Sequence, residues 1–92
     1  MRELSVTGQD FDGIVEYMLD TRGAEVSVLV YPRGESEMKV SFRSRTVNVA
    51  EAASSFGGGG HRLSAGCSME CGISEARERA VNALIPALEK DG

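Results

Sequence analysis

The chain has 92 residues and a mass of 9.8 kDa, room for one domain spanning 1–92, since domains run roughly 50 to 250 residues. With 41% hydrophobic and 26% charged residues it reads as a folded globular chain rather than a disordered one, and it holds no run of roughly 18 apolar residues and no basic-apolar leader, so neither a membrane span nor a secretory signal is expected. Ten Lys and Arg against 14 Asp and Glu leave a net charge of −4, which argues against non-specific adhesion to a polyanion and leaves room for a phosphate ligand only where basic residues cluster.

From Asp10 to Thr21, Phe11, Ile14, Val15, Met18 and Leu19 recur at helical spacing, and Gly23 follows as a stop. Gly13 opposes that helix by about 1 kcal/mol relative to alanine. Val26 to Tyr31 is β-branched and nearly all apolar, as in a buried strand. Pro32 to Ser36 has turn chemistry. Glu37 to Arg45 then alternates strictly, with Met38, Val40 and Phe42 on one side and Lys39, Ser41, Arg43 and Arg45 on the other. Strand, turn and strand predict a hairpin.

Asn48, with Glu51 three residues later, predicts a capped short helix over Val49 to Phe56, stapled by Val47 and Ala52 and stopped at Gly57. Leu63 to Met69 is a further strand. Ser74 is placed to cap a last helix whose Ile73, Ala76, Ala80, Leu84 and Leu88 share one face. Glu75 and Arg79 pair four residues apart, and Pro86 is expected to kink or end that helix. The order α-β-β-α-β-α predicts an α/β (α+β) fold, a small mixed sheet with packed helices.

Cys67 and Cys71 are spaced C-x-x-x-C. On a strand they lie about 13 Å apart, too far for a disulfide, and they read as reduced thiols used as small hydrophobes. Recruiting His61 gives at most three zinc ligands at irregular spacing, so no metal is assigned. Reduced thiols point to the cytoplasm.

Gly57-Gly58-Gly59-Gly60 followed by His61 is the most unusual stretch. Four glycines cost backbone entropy. In return they permit a cluster of N–H groups aimed at an anion and let a phosphate or base approach the main chain. Known phosphate loops do not account for the run: no Gly-Lys occurs, and Arg62 and Leu63 stand where G-x-G-x-x-G needs its last glycine. Arg62 adds a charge beside the run. The polar strand face of Lys39, Ser41, Arg43 and Arg45 repeats at about 7 Å, and arginine holds a phosphate with two parallel bonds. One short helix separates that strand from the glycines, so the two can lie side by side.

Val40-Ser-Phe-Arg-Ser-Arg45, the helix opening at Val47-Asn-Val49, Phe56-Gly-Gly-Gly-Gly-His61 and Ala65-Gly66 together resemble the DHH-associated domain, the C-terminal domain (subfamily 1) of DHH phosphoesterases. The flavour is similar to the bacterial type that degrades very short RNA and dephosphorylates adenosine bisphosphate. The resemblance implies a domain that grips nucleotides or short oligonucleotides through Arg43, Ser44, Gly57, Gly58, Gly59, Gly60 and His61, with Arg45 and Arg62 at further positions, and Lys39 on the polar strand face is an additional candidate phosphate contact. It implies an N-terminal DHH catalytic domain as partner, holding two manganese ions with an Asp-His-His signature. Where relatives often read Ala-Ala-Gly, this chain has Ser64-Ala65-Gly66.

With one histidine and scattered aspartates, no two-metal hydrolytic site can be assembled from this sequence. The chain is expected to be half of an enzyme, either a domain begun at Met1 or a shortened reading frame, and inactive alone. Two other readings stand beside this one: an RNA-binding appendage like the domain ending alanyl-tRNA synthetases, and a dimerisation module without ligand. The aromatics of an RNA-stacking sheet are missing, with five Phe and Tyr and no Trp.

Overall fold

A computed structural model describes residues 5–21 and 24–91. In chain order it contains β1 (Ser5–Phe11), β2 (Ile14–Thr21), β3 (Ala24–Pro32), β4 (Met38–Ser44), α1 (Ala50–Ser54), β5 (Gly59–His61), β6 (Ser64–Met69) and α2 (Ile73–Asp91). The strands form one sheet ordered β1-β2-β3-β4-β6-β5. The α+β class is as expected. The sheet, however, is antiparallel at every pairing rather than mixed, because hairpin turns join most neighbours and none needs a crossover helix.

The first predicted helix is instead a hairpin. Asp12 and Gly13 both take positive φ, at 53° and 88°, as a two-residue type I′ turn requires. The Gly13 N–H donates to Asp10 Oδ1 at 3.1 Å. Helical spacing of five apolar residues lost to two stronger effects: Asp-Gly turn chemistry and the ladder that β3 offers β2. Of those five residues only Leu19 is buried, and Phe11 and Ile14 remain 49% and 40% exposed at the hairpin tip. The Gly23 stop lies outside the described residues.

Alternation fixes the core. Leu19 pairs with Val26, Val28 with Phe42, Val30 with Val40, Phe42 with Ala65 and Val40 with Cys67. All of these are buried, each large side chain contributing about 1.5–3 kcal/mol. Helix α2 packs on this face against β2, β3 and β4 through Ala76, Ala80, Leu84 and Leu88, all buried and all on the predicted stripe. Arg77 of α2 sits over the Tyr17 ring, 5.5 Å from its centre.

Three helix boundaries differ from expectation. The α1 cap position is Val49, and Asn48 reaches in from the residue before, its Oδ1 accepting from Ala50 N at 3.0 Å. Helix α2 begins one residue before Ser74, with Ala76 N donating to Gly72 O at 3.0 Å, so Ser74 lies in the first turn. Pro86 does not end α2, which runs on to Asp91. Asn82, whose carbonyl would have paired with the missing N–H, is exposed, while buried Leu84 and Leu88 anchor the helix on both sides. Glu75 and Arg79 form the predicted ion pair.

Candidate phosphate-binding face

Helices cover one side of the sheet and leave the other open. Because paired residues of antiparallel strands point the same way, the register draws a row across that open side. Thr7 pairs with Met18, Met18 with Ser27, Ser27 with Arg43, Arg43 with Ser64, and Ser64 with His61. Arg43 and His61 are therefore two strands apart, about 10 Å at the usual strand spacing, with the Ser64 hydroxyl between them. The basic strand and the glycine run do lie side by side, joined through β6.

The glycines divide their work. Gly57 has φ +81° and ends α1, its N–H donating to Ser54 O at 3.0 Å and that of Gly58 to Ala53 O at 2.9 Å. Those two N–H groups close the helix end rather than facing an anion. A Cβ on Gly58 would come within 2.1 Å of Gly66 O, so the close strand contact there requires glycine. At Gly60 a Cβ would meet Ala65 Cα at 2.7 Å. A Cβ on Gly59 would meet nothing within 4 Å, so that position opens to solvent on the edge strand.

Ser44 is a bracing residue. Its hydroxyl donates to Glu25 O at 3.1 Å and accepts from Val47 N at 2.9 Å and Thr46 N at 3.3 Å, which shapes the bend that carries Arg45. Arg62, in the turn between β5 and β6, donates from Nη2 to Thr46 O at 3.5 Å, and its carbonyl accepts from Val49 N at 2.7 Å. Lys39 shares the open face with Arg43, two rows away and paired with Ser68, and its stem passes near Gly66.

Ser27, Met18 and Glu16 are not legible as site residues in the sequence, because helical spacing covers Met18 and Glu16 and Ser27 sits in a β-branched, nearly all-apolar run. Ser27 Oγ donates to Glu16 Oε2 at 2.9 Å. The signal was present: Ile14, Glu16, Met18 and Asp20 alternate with Val15, Tyr17 and Leu19. Both cysteines are free thiols, Cys67 buried and Cys71 half-buried. Among the described residues no three His, Cys, Asp or Glu are grouped to hold a metal ion, so these residues do not fit a two-metal centre.

An antiparallel sheet with one face covered by helices and one open face bearing Arg43, Ser64 and His61 in register has the layout of a small α+β domain. The DHHA1 domain matches residues 2–90, and the chain belongs to that family. DHHA1 is a domain of DHH-family phosphoesterases and normally sits beside an N-terminal DHH catalytic domain. Among the described residues no helix is long and apolar enough to cross a membrane.

Proposed function

We propose that this domain grips the phosphate of a nucleotide or short single-stranded oligonucleotide and presents it to a DHH catalytic domain. The observation that supports this is the row His61, Ser64, Arg43 across three adjacent strands. A phosphate seated over Ser64 is within reach of a guanidinium on one side and an imidazole on the other, with a hydroxyl beneath. Arg43 supplies charge-assisted bonds, Ser64 and His61 supply donors, and exposed Gly59 lets the ligand come close to the main chain. Ser44 and Arg62 act through the loop they brace, and Arg45 and Lys39 add charge at the rim.

The motif residues Val40 to Arg45 and Phe56 to His61 favour a parent of the bacterial type that cleaves very short RNA and adenosine bisphosphate, working in the cytoplasm. Manganese belongs to the partner domain of that parent, and the part of residues 1–92 is binding.

Calorimetric titration with a dinucleotide, beside a thermal melt, tests the reading. Arg43→Ala should weaken binding by about 1.5–3 kcal/mol, the worth of a hydrogen bond to a charged group, without lowering the melting temperature, because Arg43 is exposed. Unchanged affinity, or a melt that collapses together with the binding, counts against it. Binding of tRNA but of no short ligand would favour an RNA-binding appendage.

A further inference from the structure

On the side of Arg43 away from His61, the open face dips into a depression of about 200 Å³ lined by Met18, Glu25, Ser27, Arg43, Ser44 and Arg45. Its walls are chemically mixed. Met18 supplies a thioether, Arg43 and Arg45 two guanidinium planes, Ser27 a hydroxyl and Glu25 a carboxylate. Ser44 has already committed its hydroxyl to Glu25 O and the 46–47 backbone, so it serves as wall. Ser27 points its proton at Glu16, which leaves its oxygen lone pairs to accept from a ligand.

A phosphate would make poor use of this set: the thioether gives it nothing and Glu25 repels it. A flat heteroaromatic ring uses every group. Thioether sulfur contacts aromatic rings favourably, guanidinium planes stack on unstacked bases, and Ser27 and Glu25 accept from an exocyclic amino group. The volume also fits one ring system, being smaller than the roughly 300–1,000 Å³ of pockets for larger ligands. Register supplies the spacing, since Ser27 lies one strand beyond Arg43 and Met18 two, while the proposed phosphate position lies one strand before it.

We propose that this depression is a nucleobase subsite, which takes the base of the nucleotide whose phosphate Arg43 and His61 hold and prefers bases bearing an exocyclic amino group. The inference rests on the phosphate reading above. Titration with adenosine monophosphate, uridine monophosphate and ribose 5-phosphate, at one salt concentration, separates the two. Adenosine monophosphate should bind about tenfold more tightly than ribose 5-phosphate, the scale of one stacking contact, with uridine monophosphate between them. Met18→Ala should cost the adenine ligand about two- to tenfold, the range of a thioether–ring contact, and leave ribose 5-phosphate unchanged. Glu25→Gln, at an exposed position, should narrow the gap between adenine and uracil.

Equal affinity for ribose 5-phosphate and adenosine monophosphate, both weakened by Arg43→Ala, would overturn the subsite and leave the phosphate reading standing. Base-dependent affinity that ignores both Met18→Ala and Glu25→Gln would also overturn it, placing the base elsewhere. If no phosphorylated ligand binds and Arg43→Ala changes nothing, both readings fall together.

Discussion

At Gly59 and Gly58, adjacent residues of one composition, the chain makes opposite demands. A side chain at Gly59 enters open space, whereas one at Gly58 collides with the Gly66 carbonyl. Gly58→Ala should therefore lower the thermal midpoint, while Gly59→Val should melt close to the parent. The valine still stands where the ligand approaches the edge strand, so Gly59→Val should weaken dinucleotide binding more than His61→Ala does. The histidine variant loses one donor, about 1–2 kcal/mol, and keeps the open approach. Dissociation constants of the two folded variants decide the order, and a valine variant that binds like the parent would reduce the glycines to a purely structural role. Cys67 offers a second test at this scale. Burial pushes its thiol above the ordinary value of 9.0, and the nearby Lys39 charge pulls the other way. Below pH 9.0 the folded and unfolded chains both keep the proton. Above it the unfolded chain releases its proton first, so stability present in full at neutral pH is lost as pH rises through the folded-state value. Thermal melts run upward from neutral pH should show that decline, and Cys67→Ala should reduce it.

Among the elements, the Asp12-Gly13 turn decides the most. It converts a segment with helical spacing into two strands, and its two positive φ angles exclude β-branched residues at low cost. Gly13→Val should destabilise the fold by about 1–3 kcal/mol, the cost of holding such a residue in a sparsely populated region. Urea melts measure the loss, and amide exchange should show it concentrated in β1, the edge strand paired with β2. This turn also marks where sequence reading succeeded and failed. The β3–β4 hairpin was legible because Met38, Val40 and Phe42 alternate with polar residues and a Pro-Arg-Gly turn precedes them. The β1–β2 hairpin was not, because apolar residues on its two strands fall by chance at three- and four-residue spacings. Periodicity cannot distinguish a helix from a hairpin folded at its midpoint, whereas the Asp-Gly dipeptide can. Helix α2 was legible over its whole apolar stripe. Its persistence past Pro86 was not, because that depends on Leu84 and Leu88 finding a sheet to bury against.

For the molecule as a whole, each half of the candidate site was legible as a motif, but their junction was not. Arg43 and His61 stand 18 positions apart in sequence, and only the insertion of β6 between β4 and β5 puts them over one serine. The same topology leaves the described His, Cys, Asp and Glu residues ungrouped for a metal, while phosphodiester hydrolysis of the two-metal kind needs ions about 3.5–4 Å apart on shared ligands. On the proposed reading, the 92-residue polypeptide should hold a dinucleotide without cutting it. Incubated with manganese and a dinucleotide, it should release no mononucleotide above the level of an Arg43→Ala preparation made in parallel. The comparison matters because a contaminating nuclease would act equally in both samples, whereas hydrolysis by this face would fall with the arginine. In the same tubes the dinucleotide should still raise the thermal midpoint, since a ligand held only by the folded state stabilises it by RT ln(1 + [L]/Kd). Stabilisation without turnover is the signature of a substrate-gripping domain. Turnover that tracks the pure protein and disappears with Arg43 would instead mean that the chain assembles its own catalytic centre.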